Sequence, residues 1–318
     1  MNKIKTMTRE QLLPYILFAV LIVLFAVFTI INPVFLSWDS FHSILLTAVP
    51  VGIMAIGECV AITAGYFDMS VGLIASLAGS FAARVVNATG NAGLGILCGI
   101  AVGLVCGMIN GCLVSFLHMN AFITTYAMQL VFRGIEYIIT EGMPVKLTLG
   151  VCDGYMKYGQ AKVFGFIQAP VVVMIILYIL VGLFLKYRKL GRSIYLVGSN
   201  AACAHISGIN VRMVQFFVFL LTGFLASMAG MLYGARIGSA PAFMGENLCL
   251  EGIASSIVGG TSMAGGKSNL ALTFLGVVIV YVVKQGLVMI GLDDNYQYIA
   301  TGIILFLGVL MQMDRKKA

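Results

Sequence analysis

Windows of about 20 residues, the width of a bilayer's hydrocarbon core, are apolar almost from one end of this 318-residue chain to the other. No other feature limits the fold so strongly. Only 10% of the residues are charged, where a soluble domain carries roughly 25%. Inside hydrocarbon every backbone N–H and C=O needs an internal partner, which leaves helices or a closed barrel. A barrel would alternate polar and apolar residues in stretches of about 10. Residues 17–31 and 171–185 are continuous apolar runs instead, so the chain is expected to be an all-α membrane protein.

Ten candidate transmembrane helices can be drawn, at 12–31, 43–64, 69–86, 92–117, 121–139, 169–185, 213–235, 250–263, 270–292 and 298–311. The eighth is short and interrupted by Gly259 and Gly260, which suits a partial or re-entrant element. Residues 1–318 then form one transmembrane domain. It has a tail at 1–11, a first half at 12–185, a connecting loop at 186–212, a second half at 213–311 and a tail at 312–318. Five spans on each side of the loop suggest two pseudo-symmetric halves with glycine-broken helices.

With ten crossings, Lys3, Lys5 and Arg9 fall on the same side as Lys186, Arg188, Lys189, Arg192, Arg212, Lys267 and the cations at 315–317. The opposite loops hold Asp39, Glu141, Asp153, Glu246, Asp293 and Asp294. The positive-inside rule places both termini in the cytoplasm. The first apolar stretch is longer than a signal-peptide core of about 7–15 residues and lacks a small-x-small cleavage site, so it reads as a retained helix.

Three segments stand out from the apolar background. The first, Thr63-Ala-Gly-Tyr-Phe-Asp-Met-Ser-Val-Gly72, sets Asp68 and Ser70 between Gly65 and Gly72 at the junction of two spans. Its acid and hydroxyl suit either a helix cap or the polar lining of a transport path, where intramembrane charge collects. The second, Gly259-Gly-Thr-Ser-Met-Ala-Gly-Gly-Lys-Ser268, resembles a phosphate loop but fails its spacing. Counting back from Gly266-Lys267, the first glycine of G-x-x-x-x-G-K-[ST] falls on Thr261. A glycine-rich break involving Gly259, Gly260, Thr261, Gly265 and Gly266 is the better reading, with the Gly65–Gly72 break as its counterpart in the first half; paired interruptions of this kind point to a central translocation path or gate. The third is 191–210. There Ser199 or Asn200 suits the start of a short helix running to Ile206, and Gly208 its end. It is either an inert connection or a helix that docks a cytoplasmic partner through Ile206 and Ile209.

Glu58, Arg133, Glu136 and Lys284 fall inside spans, where an ionised group needs a partner or water. Arg133 and Glu136, three apart, are expected to pair on one helix face. The seven cysteines and three histidines form no ligand spacing. Neither Gly-x-Ser-x-Gly nor His-Glu-x-x-His occurs. No catalytic residue, metal, cofactor or nucleic-acid partner is expected.

In this order, 65–72, 120–125 with Arg133-Gly134, 191–211 and 259–266 resemble the permease subunits of bacterial ATP-binding-cassette importers of the ribose and galactoside type. The resemblance runs from about residue 31 to 312. It implies a chain in the bacterial inner membrane that moves a small sugar or polyol without hydrolysing ATP. The implied partners are a cytoplasmic ATP-binding subunit, an extracytoplasmic sugar-binding protein and a second permease copy or paralogue, within membrane lipid. It also implies that Gly191, Arg192, Ser199, Asn200, Ile206, Gly208 and Ile209 belong to the ATPase coupling segment. The chain departs from the family pattern at Ala201-Ala202, where Pro-Glu is common, at His205, where Arg is common, and at Cys249, where Glu is frequent. The alternative from another class is an ion-coupled secondary transporter with Glu58 or Asp68 as proton carrier.

Overall fold

The computed structural model describes residues 9–163, 165–246 and 248–313; the terminal cations at 3, 5 and 315–317 lie outside them. The chain is helical nearly throughout. In order, the helices are α1 (Arg9–Ile31), α2 (Trp38–Thr63), α3 (Val71–Thr89), α4 (Ala92–Ser115), α5 (Ala121–Thr140), α6 (Asp153–Gln160), α7 (Ala169–Tyr187), α8 (Lys189–Ser199), α9 (Ala201–Ile206), α10 (Val211–Ile237), α11 (Leu248–Val258), α12 (Leu270–Met289) and α13 (Asp294–Met313). Seven of these (α1, α2, α3, α4, α7, α10 and α12) are long and apolar enough to cross a membrane. At 20 residues each, α5 and α13 reach about 30 Å. The eighth candidate span is α11, whose 11 residues reach only roughly 17 Å, short of a full crossing.

Local sequence explains where the helices begin. Asn91, Asn120, Asn210 and Asn269 each accept a backbone N–H of the first turn of the helix that follows, as short polar side chains do at N-caps. Gly90 and Gly238 end α3 and α10 in left-handed conformations.

The core sits around α2, which is buried along nearly its whole length, whereas α1 is exposed over most of its length. Packing of α4 against α3 and α10 follows a stripe of glycines four apart, Gly95, Gly99, Gly103, Gly107 and Gly111. A Cβ at Gly103 would stand 2.5 Å from the Gly223 carbonyl oxygen, and one at Gly107 2.4 Å from that of Phe219. Lipid tails are as apolar as leucine, so helices in a bilayer associate through close backbone packing of this kind.

The loop at 141–168 is folded, not free. Strand β1 (Val145–Lys146) pairs antiparallel with β4 (Ser239–Ala240), and β2 (Lys162–Val163) pairs with β3 (Ile167–Gln168). Between them α6 rests on the end of α10. There a Cβ at Gly159 would stand 2.2 Å from the Arg236 nitrogen, and the Tyr155 hydroxyl donates to the Met231 carbonyl at 3.0 Å.

Candidate functional site

The segment from Thr63 to Gly72 unwinds the chain between α2 and α3, which exposes backbone groups that hydrocarbon cannot satisfy. Asp68 sits at the centre of the solution and is fully buried. Its Oδ1 accepts from the Ser70 amide at 3.1 Å and the Ser70 hydroxyl at 2.6 Å, and its Oδ2 accepts from the Thr222 hydroxyl of α10 at 2.6 Å. Ser70 Oγ in turn accepts from Asn110 Nδ2 of α4 at 2.7 Å. Thr125 of α5 accepts from the Met69 amide at 3.0 Å, and the Cys249 thiol of α11 lies 3.4 Å from the Asp68 carbonyl. Four helices therefore hold one unwound turn. Ser70 occupies the N-cap position of α3 without a side-chain cap bond, so the helix-cap expectation gives way to a cross-helix network. The reason is that Thr222 and Asn110 offer Asp68 and Ser70 better-placed partners than the first turn of α3 does. Gly72 brings the start of α3 against the 241–246 segment: a Cβ there would stand 1.8 Å from the Gly245 carbonyl oxygen. Gly65 lies exposed at φ +90°.

Glu58, one turn earlier in α2, is fully buried, and neither carboxylate oxygen meets a hydrogen-bond partner. The other in-span charges pair differently from expectation. Arg133 binds Glu246 at 2.8 Å and lies over the Phe243 ring at 5.4 Å. Glu136 accepts from Ser76 at 2.7 Å and Ser80 at 3.0 Å. The Arg133–Glu136 pair is thus not formed. Glu136 lies on the face of α5 packed against α3, whereas Arg133 lies on its exposed face. Lys284 binds Glu251 at 2.8 Å, with the Tyr281 hydroxyl on the second carboxylate oxygen at 3.1 Å.

The second glycine-rich segment lies at the end of the bundle that carries Lys186, Arg188, Lys189, Arg192 and Arg212. It links α11 to α12 and is pressed onto the ends of α2 and α8. The Gly266 amide donates to the Thr63 carbonyl at 2.8 Å, and the Thr261 hydroxyl lies 3.4 Å from the Cys59 thiol. Gly198 of α8 makes this possible, because a Cβ there would stand 1.8 Å from the Thr63 oxygen. Gly260, Gly265 and Gly266 all have left-handed φ; Gly259 allows close approach to Thr273 at the start of α12. The two glycine-rich segments therefore meet through Thr63 and Cys59, not through Asp68.

On the same end, α8 and α9 form two short helices broken at Asn200. Asn200 Oδ1 accepts from the Cys203 amide at 3.0 Å, and Gly208, at φ +82°, closes α9. Ser199 ends α8 and caps nothing. Ile206 is 86% exposed, whereas Ile209 is half-buried, packing in part against the core while still lining the groove beside α9, so it is less exposed than expected. Gly191 also faces inward, with the Phe184 carbonyl oxygen 2.4 Å from where its Cβ would be, while Arg192 is exposed. Tyr195 of α8 receives the Ser268 hydroxyl at 3.2 Å; burial pushes its own hydroxyl above the usual tyrosine range. Beside α9 lies an open groove of about 800 Å³ lined by Ala201, His205, Arg212, Gln215 and His118. Among the described residues no three His, Cys, Asp or Glu side chains stand close enough to hold a metal ion, and all seven cysteines are free thiols.

Comparison with known proteins decides the class. The family model described as the permease component of a branched-chain amino acid transport system matches residues 40–309. This chain belongs to that family of permeases. It is 34% identical over 298 residues to the ribose import permease of Escherichia coli strain K12, covering 93% of this chain and 92% of the relative. The ribose import permease of Bacillus subtilis strain 168 is also 34% identical, over 94% and 91% of the two chains. The D-allose transport system permease of Escherichia coli K12 is 31% identical over 92% and 90%. No solved structure matches. The chain is thus a multi-pass membrane transport subunit of the ATP-binding-cassette importer class, whose ATPase activity resides in a separate subunit.

Proposed function

We propose that this permease forms the translocation path for a small sugar or related polyol in a bacterial inner membrane. The observation that carries the proposal is similarity over about nine-tenths of the chain to permeases named for ribose and allose, although the family description names amino acids. An extracytoplasmic sugar-binding protein delivers the solute, a cytoplasmic ATP-binding subunit supplies the energy, and a second permease copy or paralogue completes the path. In this reading the 191–209 segment receives the ATPase through α9, and the two glycine-rich segments, Gly65–Gly72 and Gly259–Gly266, are the joints about which the helices rock between access states.

Both termini face the cytoplasm in this proposal: α5 and α13 cross with the seven long helices, and the stretch running from β4 through the short α11 makes the tenth crossing, in two similar halves. Charge asymmetry supports the orientation. A spaced repeat supports the halves: Gly65, Gly72, Ser76 and Gly79 recur as Gly245, Gly252, Ser256 and Gly259, each shifted by 180 residues. Cysteine labelling at position 157, in a background lacking native cysteines, should be accessible only from outside.

Function is tested by reconstituting the permease with its ATPase and binding protein in proteoliposomes. ATP-driven uptake of a pentose or hexose that persists when ionophores collapse the ion gradients is expected. Uptake that needs the gradient and ignores ATP would instead establish the ion-coupled alternative through Glu58 or Asp68.

A further inference from the structure

A groove of about 430 Å³ opens on the outside of the bundle between α7 and α12. Its walls are Ile179, Gly182 and Leu183 from α7 and Leu270, Ala271 and Phe274 from α12, with the Tyr178 ring set edge-on to Phe274 at 5.2 Å. Both helices are apolar spans, so acyl chains, not water, bathe this wall. One residue of the lining is charged. Lys186, in the last turn of α7, stands exposed at the mouth. The groove therefore has an apolar shaft and a cationic mouth at membrane-boundary depth.

Two further features make the mouth positive. Leu270 and Ala271 are the first residues of α12, so the positive end of that helix dipole lies at the same place. Arg188 and Lys189 follow Lys186 after Tyr187, and no carboxylate occurs in the chain between Asp153 and Glu246. A zwitterionic lipid needs no such arrangement. Anionic headgroups near a cationic cluster gain about 1 kcal/mol per basic side chain.

Gly182 keeps the shaft open. The nearest atom to a Cβ built there is Leu270 Cδ2 at 3.8 Å, an ordinary contact, so close packing does not demand glycine at this position. We propose that this groove binds one anionic phospholipid, an acyl chain lying along Gly182 and Phe274 and the phosphate headgroup held by Lys186 at the start of α12. The proposal does not depend on which solute the permease carries. The bound lipid would join α7, which leads directly into α8, to α12, which follows the loop pressed on α8.

The test uses the purified full-length permease and native mass spectrometry with dioleoyl phosphatidylglycerol as the probe. Wild type is expected to retain one phosphatidylglycerol. Lys186→Glu should weaken retention at least about fivefold, from the loss of one basic contact. Gly182→Phe, which fills the shaft, should abolish it. Dioleoyl phosphatidylcholine should be retained less well than phosphatidylglycerol by wild type and should not respond to Lys186→Glu, and Ile176→Phe, on an exposed part of α7 outside the groove, should behave as wild type. Thermal unfolding checks that Gly182→Phe folds; Gly182→Leu replaces it if it does not. Equal retention of phosphatidylglycerol by wild type, Lys186→Glu and the shaft-filling variant overturns the proposal. So does displacement of the lipid by millimolar inorganic phosphate, which would mean a phosphate site alone. A dimer that Gly182→Phe converts to monomer would assign the groove to a second copy and overturn it equally.

Discussion

The crossing of α3 with the 241–246 segment tolerates no side chain. A Cβ at Gly72 would stand 1.8 Å from the Gly245 carbonyl oxygen, and a Cβ at Gly245 1.8 Å from that of Gly72. Real contacts of this type stay above 3.0 Å, so alanine at either site forces the two backbones apart by about 1.2 Å. A gap of ~0.5–1 Å already forfeits a quarter to a half of the dispersion well for each atom lining it. Overpacking of this kind costs about 1–3 kcal/mol. The strain also reaches Asp68, four residues upstream, through the chain that its hydrogen bonds anchor. Gly72→Ala and Gly245→Ala should each lower the thermal midpoint of the detergent-purified permease by several degrees. The double variant should cost less than the sum, because one separation relieves both clashes. Gly134→Ala is the control: nothing lies within 4 Å of a Cβ there, and helix propensity favours alanine by up to about 1 kcal/mol. Midpoints unchanged in both single variants, or strictly additive losses, would refute the close-contact account.

Removing Lys284 strands the buried Glu251 carboxylate, so Lys284→Ala should destabilise the permease by about 3–5 kcal/mol; adding Glu251→Leu should restore much of the loss in the same unfolding assay. Ile206→Asp places a charge on the exposed apolar tip of α9, whose burial in a partner is worth roughly 1.5–3 kcal/mol. The ATPase should fail to co-purify with it while the permease keeps its thermal midpoint, whereas wild-type stoichiometry would remove α9 from the docking surface. Ile209→Asp should in addition lower the thermal midpoint, because that side chain is half-buried against the core. Gly260→Val demands a β-branched residue at φ +86°, which such residues avoid; uptake by proteoliposomes should fall sharply, and normal uptake would deny this loop any role in the cycle.

Much of this architecture was legible one segment at a time. Continuous apolar runs of bilayer length identify spans because hydrocarbon admits no unpaired backbone. The asparagines before α4, α5, α10 and α12, and Asn200 with Gly208 around α9, are readable because caps act within four residues of themselves. The glycine stripe from Gly95 to Gly111 was equally open to reading, since a spacing of four places one face of α4 against its neighbours; composition alone hid it among 37 glycines.

Partner choice was not legible. Arg133 and Glu136 share a helix, yet their partners are Glu246, 113 residues away, and the serines of α3. Asp68 reads as a cap or a path residue until Thr222, 154 residues on, is brought to 2.6 Å. The sequence by itself determined the solvent, the long apolar helices and, through its resemblance to a family, the class of transporter. Tertiary structure alone decided which polar group meets which, because helical periodicity specifies the face a side chain occupies but not the helix that will pack against it.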